Sequence, residues 1–147
     1  MLAQEVAVAD LKPLNWTPKP EVGMRVTRRP DGGMNLTFTD MSEATLKDWH
    51  DFALEHLLGV DRLTRNLYDL RLVKEVNENA VRTAVEVNSD PSARNIRLAV
   101  VVASPEAGEA IRKIAALALP ETAAAIKIFT DMDAAELWLS RPLDQIP

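Results

Sequence analysis

Ile96-Arg97-Leu98-Ala99-Val100-Val101-Val102-Ala103-Ser104-Pro105 is the stretch that decides the architecture. From Ile96 to Ala103 the run is rich in β-branched residues and almost wholly apolar, the pattern of a central strand buried on both faces. Ser104-Pro105 follows at once. A serine that can accept from an orphan backbone N–H, then a proline at the first helical position, is a strong helix start. A buried strand running straight into a helix is a repeating unit of α/β folds.

Working outward from this unit, Ile111, Ile114, Ala115 and Ala118 give the following helix its inner face, and Pro120 closes it. A fifth strand covers Ala125 to Phe129. The last helix begins at Thr130 or Asp131, buries Leu137 and Trp138, and ends at Arg141-Pro142. On the N-terminal side, Asn77 caps a helix carrying Ala80, Ala84 and Val87 that stops before Pro91. Before it lies a strand over Asn66 to Leu70. Ser42 caps a helix whose stripe is Leu46, Trp49, Ala53 and Leu57, running to about Leu58 and stopping at Gly59. Val22, Met24 and Val26 alternate with polar or small residues, as do Leu36 and Phe38, and Pro30-Asp31-Gly32-Gly33 between them is turn chemistry, so the pair reads as a β-hairpin.

The order is β-β-α-β-α-β-α-β-α. It predicts a mostly parallel sheet of about five strands, with the hairpin as an antiparallel edge and the helices mainly on one face. Residues 1–21 read as an extended arm broken by Pro13, Pro18 and Pro20, residues 22–141 as the α/β domain, and 142–147 as a tail. In the fourth strand Ile96, Leu98, Val100 and Val102 should face the crossover helices. The opposite set is Arg97, Ala99, Val101 and Ala103, joined in the fifth strand by Lys127 and Phe129. That second face is too apolar at Val101 and Phe129 to stay wet. The arm, through Leu11, Leu14 and Trp16, or a second subunit is expected to cover it, and an arm exchanged within a homodimer would serve both ends.

Composition narrows the function classes. The chain has 147 residues, 47% of them hydrophobic, no cysteine and a net charge of −5, which fits one globular domain and excludes disulfides and thiol chemistry. No apolar run reaches the roughly 20 residues of a membrane span. The first ten residues lack a basic region followed by an apolar one, so no signal peptide is read there and a cytoplasmic location is expected. The acidic balance argues against binding a phosphate backbone. Arg25, Arg28 and Arg29 on the hairpin read as solvated edge-strand charges that discourage edge pairing, since no aromatic residues interleave with them.

Three stretches resemble the bacterial SpoIIAA-like family, relatives of the STAS (anti-sigma-factor antagonist) domain and of a class of lipid binders. They are Asn66-Leu67-Tyr68-Asp69-Leu70-Arg71, then Ile96 to Val102, and the closing Ile126-Lys127-Ile128-Phe129 with Ala134-Ala135-Glu136-Leu137-Trp138-Leu139. The resemblance spans roughly Val22 to Ser140 and implies a SpoIIAA-like fold with a binding or regulatory role. It departs from the STAS antagonists at one point. Their phosphorylatable serine has no counterpart in Val76-Asn77-Glu78-Asn79-Ala80, so no phospho-switch is expected there.

The remaining constellations are weak. His50 and His56 lie six apart on one helix and point about 120° from each other, which suits packing better than metal ligation. Ser104 lacks the flanking glycines of a nucleophile elbow, and capping accounts for it. Asp69 and Arg71, at the C-terminal end of a strand where open α/β sheets place ligands, and Asn77 at the next helix start form the one candidate binding site. The alternative for that pair is a structural ion pair. No catalytic residue, metal site or cofactor is read from the chain. The expectation is a non-enzymatic domain that binds a small apolar or anionic ligand or a protein partner. A carrier for a lipid or other apolar molecule is the alternative, and an enzyme using Asp and Arg chemistry a third.

Overall fold

The computed structural model describes residues 13–58, 63–118 and 125–142. Leu11, Gly59 and Pro120, the first twelve residues of the arm and the tail from residue 143 onward lie outside the described residues. The strands are β1 (Met24–Arg28), β2 (Met34–Phe38), β3 (Thr64–Leu70), β4 (Ile96–Val102) and β5 (Ile126–Phe129). The helices are α1 (Glu43–Phe52), α2 (Glu78–Asn88), α3 (Pro105–Leu117) and α4 (Met132–Leu139). A π-helical turn, Ala53–Leu57, extends α1, and a 3₁₀ turn, Pro91–Asn95, leads into β4.

The five strands lie in sequence order, β1-β2-β3-β4-β5. β1 and β2 pair antiparallel, and every later pair is parallel. The expected caps form. Ser42, Asn77, Ser104 and Asp131 each accept from the backbone N–H three residues on. At the hairpin, Gly32 takes a positive φ of 94° that a side chain would resist. Gly33 runs so close to β3 that a Cβ there would lie 1.5 Å from the Arg65 carbonyl oxygen. Both glycines are therefore required by geometry.

Right-handed crossovers between neighbouring parallel strands leave each time on the same side. Helices α1, α2 and α3 accordingly share one face, where Ile96, Leu98, Val100 and Val102 join Met34, Leu36, Phe38 and Leu70 in the larger core. The expected facing of β4 holds. So does the α1 stripe, with Leu46, Trp49, Ala53 and Leu57 all buried.

The second face is where expectation and structure part. Leu67, Ala99 and Val101, with Phe129 packed alongside, are covered by α4 through Ala135, Trp138 and Leu139. Neither arm nor second subunit is needed there, and the reason for an exchanged dimer falls away. Leu137, expected inside, is 72% exposed. An eight-residue helix has one inner stripe, and Ala135, Trp138 and Leu139 define it at spacings of three and four.

The arm docks instead on α1. Trp16 packs edge-on against Phe52 at 5.2 Å between centroids, and its Nε1 donates to the Asp48 carboxylate at 3.1 Å. Lys19 pairs with the same carboxylate and stands over the Trp16 ring. Leu14 and Trp16 thus join the larger core.

Arg29 corrects the hairpin reading. It is 6% exposed, not solvated. Its guanidinium pairs with Asp31 in the turn at 3.1 Å and with Glu136 on α4 at 2.7 Å, and donates to the Asn35 side chain at 2.9 Å. Burial works against this charge, but hydrogen bonds to Glu136 and Asp31 outweigh it and raise its pKa. From β3, Arg65 donates to the carbonyls of Leu139 at 2.7 Å and Arg141 at 3.1 Å, satisfying the C-terminal end of α4. Among the described residues, no helix is long and apolar enough to cross a membrane.

Two outcomes are expected in thermal unfolding. Removal of residues before Val22 should cost on the order of 2–3 kcal/mol through loss of Trp16 burial, and an unchanged melting temperature would mean the arm contributes nothing. Arg29→Met should cost about 2 kcal/mol, well above Glu136→Gln, because the half-exposed carboxylate is screened by water while Arg29 holds three elements. Equal, negligible losses would contradict the clamp.

Candidate functional site

Alternation along β3 separates the residues at its C-terminal end. Tyr68 and Leu70 point to the helix-covered face, and Asp69 shares the other face with its register partners Thr37 and Val101. The sequence-based candidates divide accordingly. Arg71 folds back on Asp69 in a two-pronged pair, Nε to Oδ1 at 3.0 Å and Nη2 to Oδ2 at 2.9 Å, and the Arg71 backbone N–H also donates to Oδ1. Hydrogen bonding from Arg71 holds the Asp69 carboxyl below the usual carboxylate range. Asn77 accepts from the Ala80 N–H at 2.8 Å and donates to the Met41 carbonyl at 3.3 Å. Asp69 and Arg71 are brought together and tie their own turn, whereas Asn77 joins neither by a hydrogen bond among the described residues and links the start of α2 to Met41.

On the opposite face, the same strand end opens into an apolar cavity of about 60 Å³. Tyr68, Leu98, Val100 and Ile126 form its floor on the sheet. Leu46 and Trp49 of α1, Ala80, Ala84 and Asn88 of α2, and Ile111 and Ile114 of α3 form its walls. The space exists because α2 presents alanines inward. Two methyl groups at Ala80 and Ala84 do not reach the sheet across a gap that Leu-sized side chains fill elsewhere. A smaller adjoining space shares Trp49, Tyr68, Asn88, Leu98 and Ile126 with it.

Three polar groups meet at this junction. Trp49 Nε1 donates to the Tyr68 hydroxyl at 3.3 Å, and the two rings stand edge to face at 6.2 Å. Asn88 donates to the Ala84 carbonyl at 2.8 Å. Tyr68 is half-buried by surface and lines the cavity, while protein surrounds its hydroxyl end. Burial pushes its pKa up to about 12, only partly opposed by the Trp49 N–H. Among the described residues, no group of three His, Cys, Asp or Glu side chains could hold a metal ion. His50 lies 3.5 Å from Glu86, and His56 packs on Phe52.

Asp69 lies on the opposite face of β3 from the cavity, and Asn77 caps α2. Tyr68 stands at an inward position of β3, and α2 carries small residues on its inner stripe. Those two signals together mark the cavity. No protein-family model, curated protein or solved structure matches this chain.

Tyr68 is the chain's single tyrosine, so tyrosinate absorbance reports it alone. Its pKa is raised on folding from 10.0, so the neutral phenol stabilises the fold below pH 10, and that contribution is lost as pH climbs through about 12. Titration should show a midpoint near the upper value, with native stability falling by on the order of 2–3 kcal/mol across that interval. A midpoint at the free-tyrosine value would mean the hydroxyl is not enclosed.

Proposed function

We propose that this chain is a non-enzymatic, SpoIIAA-like binding domain of regulatory use, and that its ligand is a small apolar molecule held between the sheet and helices α1, α2 and α3. The observation that carries this is the apolar cavity above Tyr68. Its described lining contains no carboxylate, lysine, arginine or histidine, so it offers contact and orientation rather than acid–base chemistry. The sheet order, one antiparallel edge followed by four parallel neighbours, supports the SpoIIAA-like assignment.

Size favours a small ligand over a lipid. Sites that engulf drug-sized molecules occupy about 300–1,000 Å³, and the cavity measures about 60 Å³. A lipid chain would need the helices to part, whereas a small molecule can seat one end in the space as it stands.

The test uses native mass spectrometry of the purified protein and its Ala84→Val variant. The expected result is a low-mass adduct on the wild-type chain, released on denaturation and absent from Ala84→Val, with the variant at least as stable, by up to about 2 kcal/mol as for other filled cavities. A bare wild-type chain alongside a more stable variant would make the space a packing defect and overturn the proposal.

A further inference from the structure

The Tyr68 hydroxyl has one hydrogen to give and two lone pairs to receive. Trp49 Nε1 occupies a lone pair at 3.3 Å, and no acceptor for the Tyr68 hydrogen occurs among the described residues. A buried donor without an acceptor costs about 1–3 kcal/mol, so this group is costly where it stands unless something completes it. The cavity lining also includes Phe38, Leu70, Leu98 and Val100, whose side chains can accept nothing. Asn88 is the one other polar side chain of the lining, and its amide donates to the Ala84 carbonyl of its own helix.

Resting on the reading of this cavity as a ligand site, we propose that the pocket is selective for a neutral apolar molecule bearing one hydrogen-bond acceptor, such as a ketone or aldehyde oxygen, seated on the Tyr68 hydroxyl. The Trp49–Tyr68 contact strengthens the case, since a hydroxyl that accepts a hydrogen bond becomes the better donor. Charge is excluded by the surroundings. An anion would enter a lining with no cation, and a cation one with no carboxylate, each at a heavy desolvation cost. Tyr68 stays protonated at neutral pH and is therefore a donor there, whatever else it does. The cavity volume is below half of the roughly 150 Å³ of an engineered cavity that takes up benzene. The acceptor end is thus the part that fits inside, and the remainder lies toward the half-buried rim at Met41, Val76 and Ile111.

Saturation-transfer NMR on the full chain can separate this from the broader reading. The probes are cyclohexanone, its near-isostere methylenecyclohexane, and cyclohexanecarboxylate. Expected is binding of both neutral rings, with the ketone tighter by about three- to tenfold, the worth of one neutral hydrogen bond, and no binding of the carboxylate. Tyr68→Phe should bring the two neutral affinities together, and Ala84→Val should block both. Equal affinities in the wild-type protein would overturn the acceptor proposal and leave the apolar pocket standing. A bound carboxylate would overturn the neutrality. If neither neutral ring binds, the pocket reading itself fails, and a ketone unaffected by Ala84→Val would place the binding elsewhere.

Discussion

Handedness of the crossover governs this molecule. β2 to β5 are neighbours in sequence and in the sheet, so each connection is a right-handed step to the adjacent strand. Repeating that step without reversing direction stacks α1, α2 and α3 on one side and offers nothing to the other. Two consequences follow. The helix-covered face gains a thick core, within which any mismatch in side-chain length becomes an internal space. The bare face depends on a single late helix.

That dependence explains where the charged residues went. A sheet face covered by one short helix cannot rely on apolar area alone, and α4 is held at several points. Ala135, Trp138 and Leu139 fill the centre. Glu136 reaches the Arg29 guanidinium, and Arg65 satisfies the helix's last carbonyls. Arg29 follows β1 and Arg65 lies on the central strand β3, so α4 is latched to the N-terminal half of the fold. Gly33, pressed against the Arg65 backbone, keeps the hairpin close enough for that latch.

Much of the architecture was legible in the sequence because it rests on local signals. The β4 run, the caps at Ser42, Asn77, Ser104 and Asp131, and the α1 stripe each state their structure within a few residues. What stayed hidden was long-range. Arg29 looks like any edge-strand arginine until Glu136 arrives from more than a hundred positions away. Leu137 and Leu139 are chemically alike, and only the choice of Trp138 and Ala135 as inner neighbours tells which one is buried. At the candidate site, charge drew the eye to Asp69 and Arg71, whose mutual pairing leaves them occupied. The cavity arises from small residues on α2 failing to meet the sheet, and those alanines and the inward Tyr68 mark a space only once both surfaces are placed. Tyr68, one step along the strand from Asp69, sits on the other side for no reason beyond the two-residue period of a strand.

Chain order gives α4 a further meaning during synthesis. All five strands precede it, so the sheet can assemble with Leu67, Ala99 and Val101 uncovered while the ribosome has yet to deliver their lid. At translation rates of about 5–20 residues per second, the eight residues of α4 follow β5 within about two seconds. For that interval the nascent domain displays an apolar strip beside a ready Arg29.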